Sequence, residues 1–293
     1  MAKITIPDAL KADVPQTMWG RILTATPIVM TVIATALAGL ASSEMTRAQY
    51  SRSLGAQQQS KAGDQWGYFQ AKRLRSALQR NTLDLLQNTT DVHSFAAPDL
   101  DPATQAALTK GELPALPPAP AVDPNIGTAL GDLAVQKPDA VIAKLLVRVK
   151  DKTLDEALRA AQGRAQTFDD TLDPINQAVE RLDKSLSGGD NKGLSRDFTA
   201  ARLRYAAARY DAEARLNQSI AYVYELQVRK SNLDAERHHK RSQQFFYGML
   251  AAQAAVIIST FSLAAQKRSL LWTLAAAAGA AAIAFAAYVY LFV

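Results

Sequence analysis

Three long apolar stretches constrain this fold more than any other feature of the chain. They run over 22–41, 245–265 and 270–293, and none contains Asp, Glu, Lys or Arg. A helix of about twenty apolar residues crosses the roughly 30 Å of hydrocarbon in a bilayer. About two hundred mostly polar residues separate the first stretch from the second. The pattern therefore predicts an all-α membrane protein with one N-terminal transmembrane helix and a C-terminal transmembrane hairpin.

Composition limits what the polar middle can build. It is rich in Ala, Gln, Asp, Arg and Lys and poor in Ile, Val and Phe, which suits helices that bury narrow seams. The net charge of +6 is interpreted as a topology signal, because Lys and Arg accumulate at the ends of spans. No nucleic-acid partner is predicted. The chain has no cysteine, which excludes disulfides, thiolate metal sites and Cys nucleophiles.

A helix is predicted over 44–88, after the first span. Gly55 and Gly63 are its expected weak points, and Pro27 is expected in the first turns of the span, where a missing N–H costs little. We expect the apolar residues of this helix to lie on roughly one side: Trp66, Phe69, Leu74, Leu78, Leu85 and Leu86.

The next segment is rich in proline. Seven prolines between 98 and 124 (Pro98, Pro102, Pro114, Pro117, Pro118, Pro120 and Pro124) predict an extended linker with one helical turn near 104–108. A helical piece follows over 125–150, interrupted at Pro138. Its part from 140 to 149 is β-branched and apolar enough for a strand, so that alternative stays open.

A heptad seam follows. Apolar residues recur at spacings of four and three from Leu154 to Leu186, and again at nearly that spacing from Leu194 to Val223. Such a pattern is typical of coiled-coil packing, with a kink expected at Pro174. The turn residues 187–190 join the two stretches, which predicts an antiparallel pair. The second helix has no Pro or Gly from Leu194 until Gly248, so it can continue into the second span.

These elements divide the chain into seven segments. The divisions are an N-terminal tail (1–20), transmembrane helix 1 (21–42), a membrane-proximal helix (43–97), the proline-rich linker (98–124), a helical coiled-coil region (125–244), transmembrane helix 2 (245–265) and transmembrane helix 3 (269–293). The predicted fold is thus three transmembrane helices with an elongated antiparallel coiled-coil soluble domain.

The segment from Asp64 to Arg75 reads DQWGYFQAKRLR. It resembles the DQWxYYQAKxxR signature of bacterial membrane proteins grouped as domain of unknown function 4337. Phe69 replaces the commoner Tyr and Leu74 an Ile-like residue. The similarity extends to the layout of an anchor span, a helical middle and a closing hairpin, covering the two ends of the chain better than the middle. The resemblance implies no activity, cofactor or ligand.

The residues of the motif form one face of a helix, and the role of this face has two interpretations. Trp66, Phe69 and Arg73 lie at positions i, i+3 and i+7, so aromatic rings neighbour a cation one turn away. One interpretation is that the aromatic residues anchor this helix against the long helix that precedes the second span. The other is a surface for a protein partner or for self-assembly. Its candidate interaction residues are Trp66, Tyr68, Phe69, Gln70, Lys72 and Arg73.

A basic cluster precedes the second span. Glu236 and His239 have the Glu-x-x-His spacing of di-iron bundles, but that chemistry needs a second such pair and two more glutamates. Contact with lipid headgroups is the favoured interpretation, and the residues are Arg237, His238, His239, Lys240 and Arg241. No phosphate-binding loop or nucleophile elbow occurs. We therefore predict no catalytic residue, no metal and no cofactor.

The predicted function is a non-enzymatic scaffold or assembly subunit of the bacterial inner membrane. The expected partners are the lipid bilayer, further copies of the chain, and an unidentified membrane or soluble protein. The distribution of Lys and Arg leans towards a cytoplasmic location for residues 43–244. The alternative is an accessory subunit of a channel or transporter, for which Gln253 is the main polar residue within a span. Ion flux in proteoliposomes that is lost on substitution of Gln253 would support that alternative.

Overall fold

The computed structural model describes residues 18–97, 100–187, 191–264 and 268–292. Within these ranges the chain is all-α, as predicted, with seven helices and no strand. The helices are α1 (Met18–Thr89), α2 (Pro102–Lys110), α3 (Pro124–Ala134), α4 (Asp139–Leu146), α5 (Asp151–Leu186), α6 (Lys192–Ala264) and α7 (Arg268–Phe292). The strand alternative for 140–149 is wrong, because α4 occupies most of that segment.

The chain forms two compact units. The apolar unit comprises Met1–Ser53 and Asn232–Val293, and the polar unit comprises Leu54–Ser231. Both α1 and α6 contribute residues to each unit. The prediction that the second heptad helix continues into the second span is confirmed, since α6 is a single helix of 73 residues. The α1 helix likewise continues through Gly55 and Gly63.

Three helices pack together in the apolar unit, and each is long and apolar enough to cross a membrane. Its core includes Leu37 of α1, Ala252 of α6 and Ala282 of α7. Gly248 lets α6 approach both neighbours closely. A Cβ atom there would lie 3.2 Å from the Ala282 carbonyl oxygen and the Leu37 Cδ1 atom, and 3.3 Å from the Phe285 Cβ atom. Small residues permit such approach between helices in lipid.

Polar side chains in the apolar part of α1 are satisfied within the helix itself. The hydroxyls of Thr26, Thr31 and Thr35 donate to the carbonyls four residues earlier at 2.7, 2.8 and 2.9 Å. These bonds remove the cost of placing a hydroxyl in an apolar medium. Pro27 lies inside α1 rather than in its first turns, because the helix begins at Met18, earlier than the apolar stretch indicates.

The polar unit is built around α6. The α5 helix packs antiparallel to α6, because residues late in α5 contact residues early in α6, and residues early in α5 contact residues later in α6. Arg202 donates to Asp183 at 2.8 Å, Tyr205 to Asn176 at 2.7 Å, and Gln227 to Asp155 at 2.8 Å. Phe168, Leu172, Ile175, Phe198 and Leu216 supply much of the core. Residues 188–190, where the reversal is predicted, lie outside the described part of the chain, and α5 continues through Pro174.

The expected one-sided arrangement of apolar residues on α1 is wrong. Leu74, Leu78 and Leu85 are 62%, 53% and 64% exposed. At about 100° per residue they share one face of the helix, opposite the buried Ser76 and Leu83. The sequence of this helix therefore contains two apolar faces, and only one of them is buried within the chain.

The proline-rich segment holds a longer helix than the single turn predicted. The Asp101 side chain caps α2 by accepting from the N–H groups of Ala103 and Thr104, and Pro102 begins the helix where its missing N–H costs nothing. Gly111 ends α2 with φ of 70°, a left-handed conformation that favours glycine. Arg204 of α6 donates to the Thr109 carbonyl at 2.8 Å, which satisfies an end group of α2.

The remaining segments of the polar unit match their predictions more closely. The helical piece over 125–150 is interrupted near Pro138, which separates α3 from α4. Asp139 at the start of α4 pairs with Arg229 of α6. Arg164 of α5 donates to the Pro117 carbonyl at 2.7 Å, so the segment before α3 is attached to the helices.

Candidate functional site

The signature segment lies on α1 in the polar unit, with Trp66 turned to α6. The indole Nε1 of Trp66 donates to the Glu225 Oε1 atom at 2.7 Å. The Trp66 ring also makes edge contacts with Phe69 and Tyr222, each with ring centroids 5.4 Å apart. Such edge contacts between aromatic rings are favourable. Trp66 therefore joins α1 to α6 through both a hydrogen bond and aromatic packing.

Two of the three cations of the signature continue this attachment. Lys72 pairs with Glu213 of α6, and the Arg73 Nη1 atom lies 2.6 Å from the Asp211 Oδ1 atom. Ser76, just beyond the signature, donates to the Ala207 carbonyl at 2.8 Å. Burial would raise the pKa of Asp211, but hydrogen bonds from Arg73 and Arg215 outweigh it and lower that pKa. The carboxylate of Asp211 is thus held ionised for its partners.

These contacts divide the six predicted interaction residues into two sets. Trp66, Lys72 and Arg73 have partners on α6, and Phe69 is half-buried against Trp66. Tyr68 and Gln70 are exposed. The interpretation of the motif as an anchor for the long helix therefore accounts for the first set. A surface for a partner stays a prediction, and only Tyr68 and Gln70 remain available without breaking contacts in the chain.

A groove of 600 Å³ lies beside the signature, between α1, α5 and α6 of the polar unit. Its polar lining includes Gln65, Lys72, Asp169, Arg209 and Glu213. The Glu213 carboxylate pairs with Lys72 and also lies 3.2 Å from the Arg209 Nε atom. Both cations are therefore compensated by one carboxylate, so the groove joins three helices without presenting a free positive charge.

A second layer of hydrogen bonds fixes Arg209. Its Nη1 atom donates to the Asn176 Oδ1 atom at 2.7 Å, and the Tyr205 hydroxyl donates to the same oxygen at 2.7 Å. Burial raises the pKa of Tyr205, which keeps the phenol neutral. Burial disfavours the charged form of Arg209, but Glu213 and the neighbouring tyrosines raise its pKa. The Arg209 guanidinium also lies 4.9 Å from the centroid of the Tyr210 ring, within cation–π range.

Asp169 is an acidic residue of this groove whose ionisation opposes folding. The groove walls desolvate its carboxyl and Glu213 repels it, and together they raise the pKa of Asp169. Its ionised form is therefore less favourable in the folded state than in the unfolded chain. The resulting destabilisation is present above the raised pKa and disappears as the pH falls below the ordinary value near 4.

We expect Asp169→Asn to increase the free energy of unfolding of the polar unit at pH 7 by at most about 1 kcal/mol, since the carboxyl is partly solvated. The gain should shrink towards zero near pH 3.5, where Asp169 itself is protonated. Urea unfolding of the full chain in detergent, followed by Trp66 fluorescence with Trp19 and Trp272 changed to Phe, measures it. The neighbouring exposed Asp170→Asn is the control. An equal gain at both pH values would contradict the assignment.

The basic cluster before the second span lies on α6 in the apolar unit. The His238 Nδ1 atom is 2.6 Å from the Glu44 Oε2 atom of α1, and Glu44 is only 8% exposed. Lys240 pairs with Glu236 at 2.7 Å, and this hydrogen bond lowers the pKa of Glu236. His238 therefore connects two helices, whereas Lys240 and Arg237 are exposed on the surface of α6.

His239 and Arg241 line two separate grooves of the apolar unit. His239 borders a groove of 580 Å³ with Ser242, Phe246 and Met249. Arg241 borders a groove of 330 Å³ with Glu44. Headgroup contact by the five basic residues stays a prediction. Among the described residues, no group of three His, Cys, Asp or Glu side chains could hold a metal ion.

Sequence reasoning missed the α6 acids that complete the site. Asp211, Glu213 and Glu225 receive the signature side chains, and Asn176 of α5 joins the network. The predicted helix that carries the signature has cations, and the second heptad helix has acids that could pair with them. The α5 helix carries acids as well. The charge pattern alone therefore could not tell which helix the signature contacts.

The fold and these contacts define an all-α protein with three helices that can cross a membrane. Residues 21–111 match the family model described as Domain of unknown function (DUF4337), so the chain carries a DUF4337 domain there. This domain includes the first apolar stretch and the whole signature. Residues 112–293, with the two C-terminal apolar helices, lie outside the match. Comparisons with curated proteins and with solved structures gave no match.

Proposed function

We propose that this chain is a non-enzymatic integral membrane protein of the bacterial inner membrane that acts as a scaffold or assembly subunit and self-associates. The attachment of the signature to α6 is the observation that carries this proposal. Its three most distinctive polar groups, from Trp66, Lys72 and Arg73, bind Glu225, Glu213 and Asp211. Because these groups bind side chains of another helix, they support a structural role for the signature.

The antiparallel helices of the polar unit support the coiled-coil form of this scaffold. The seam of α5 predicted from Leu154 to Leu186 contains buried Phe168, Leu172 and Ile175, and it packs on α6. Narrow seams of this kind leave most helix faces accessible, which suits a protein that works by contact with others. The alternative of an accessory subunit rests on Gln253, whose side chain is exposed on α6 in the apolar unit.

Multi-angle light scattering of the full chain in mild detergent tests the proposal. We expect a protein mass of at least twice the 31.6 kDa of one chain, because the exposed apolar residues of α1 need a partner. The measurement is repeated across concentrations and with detergent mass subtracted. A mass of one chain at every concentration would contradict the proposed self-association.

A further inference from the structure

One face of α1 in the polar unit is exposed, uncharged and mostly apolar. We call it the outer stripe, and it consists of Gly67, Ala71, Leu74, Leu78, Asn81 and Leu85. Its three leucines are more than half exposed. The flanking positions 70, 77 and 82 are Gln, Ala and Thr, and positions 68, 75 and 84 are Tyr, Arg and Asp. The stripe residues themselves therefore carry no charge, and one cation and one anion lie at their margins.

The spacing along the outer stripe alternates between four and three residues over its whole length. This is the a/d repeat that lets two helices interlock their side chains, and it is separate from the seam that faces α6. Seam residues towards α6, such as Ser76 and Leu83, are buried. The α1 helix therefore has two seams, and its own chain covers one.

The lack of charge on the outer stripe also favours a second copy of the chain as its partner. The cations of this segment are directed to α6, since Lys72 and Arg73 pair with Glu213 and Asp211, and Arg75 lies 5.9 Å from the Tyr210 ring centroid. Two identical copies that meet as parallel, in-register helices place each residue near its own equivalent, so a charged face would repel itself. An uncharged stripe avoids this repulsion, whereas a strongly charged partner would find no complement here.

We propose that the outer stripe pairs with the outer stripe of a second copy as a parallel, in-register helix pair. This inference rests on the proposed self-association and names its surface. Copies in one membrane share a topology, which favours the parallel alignment. The three leucines of each copy would bury at most about 600 Å² in total, below the roughly 1,200–2,000 Å² of a stable interface in solution. Confinement of both copies to one membrane raises their effective concentration and compensates for the small area.

Single-cysteine crosslinking of the full chain in membranes tests the pairing, and the chain has no native cysteine to interfere. We expect Leu74→Cys, Leu78→Cys and Leu85→Cys each to form homodimers with a short bismaleimide. Crosslinking at all three positions requires parallel, in-register helices, because an antiparallel pair brings together equivalent residues at one point only. Gln87→Cys, exposed on α1 away from the stripe, is the matched control and should stay monomeric.

A second variant separates the stripe from other contacts. The triple change of Leu74, Leu78 and Leu85 to Gln alters exposed side chains only, so Trp66 fluorescence should report a folded polar unit. Association should weaken by at least about tenfold. Val135→Gln with Val147→Gln, at positions 68% and 67% exposed, controls for general loss of apolar surface.

The outcomes distinguish this inference from the proposed function. Crosslinks at the three stripe positions and loss of mass in the triple variant support the pairing. A native mass above one chain that survives the triple change, or lacks the stripe crosslinks, overturns the pairing and leaves the scaffold proposal standing. A native chain that is monomeric at every concentration overturns both.

Discussion

Glu213→Gln should lower the free energy of unfolding of the polar unit by about 2–4 kcal/mol. The substitution keeps the shape of the side chain but removes the charge that compensates both Lys72 and Arg209. Their side chains are only 27% and 25% exposed, so water replaces the lost partner only in part. Removal of one member from a buried ion pair costs about 3–5 kcal/mol, and the partial exposure reduces this figure.

The measurement is urea unfolding of the full chain, followed by Trp66 fluorescence with Trp19 and Trp272 changed to Phe. Glu156→Gln is the matched control, because Glu156 forms an exposed pair with Lys152 at 3.9 Å. Exposed pairs of this kind contribute about 0.5 kcal/mol or less. If the two variants lost the same stability, Glu213 would not hold the three helices together.

Gly248→Leu should destabilise the apolar unit by about 3 kcal/mol. The new side chain would begin 3.2 Å from the Ala282 carbonyl oxygen and from the Leu37 Cδ1 atom. The Ala282 oxygen belongs to the backbone of α7, so no change of side-chain rotamer can relieve the contact. The helices must then separate, and they lose the packing that stabilises them in an apolar medium.

Thermal unfolding in mild detergent, followed by fluorescence of Trp272 with Trp19 and Trp66 changed to Phe, measures this loss. Gly39→Leu provides the matched control on α1, because a Cβ at Gly39 would have no atom of a neighbouring helix within 4 Å. We expect Gly39→Leu to change the unfolding temperature little. Equal effects of the two variants would mean that Gly248 has no special role in helix packing.

The sequence predicts the spans and the α5 seam because each depends on a local pattern. An uncharged run of about twenty residues and a repeat of four and three need no knowledge of neighbouring helices. The predicted interruption at Pro138 has the same local origin, since a proline restricts its own residue and the preceding one. The apolar helices, the α5 seam and the interruption are therefore present in the structure where the pattern places them.

Features that depend on contacts between distant residues could not be predicted in this way. Leu74, Leu78 and Leu85 group with Trp66 when apolar character alone is considered, although they lie about 80–120° around the helix from it. The position of Arg209 between Glu213 and Asn176 requires the helix pairing to be known first. The length of α2 had a local signal that was missed, because Asp101 followed by Pro102 is a typical helix start.

The sequence separations within the polar unit set an order of events during synthesis. The partners on α5 and α6 are as little as 19 and 29 residues apart, as in Arg202 with Asp183 and Tyr205 with Asn176. Those of the signature are 138 to 159 residues apart. The signature leaves the ribosome long before Asp211, Glu213 and Glu225 exist, so its tryptophan and cations stay without these partners until α6 is made. The α6 helix, which is synthesised after α1, thus completes the contacts of the signature on α1.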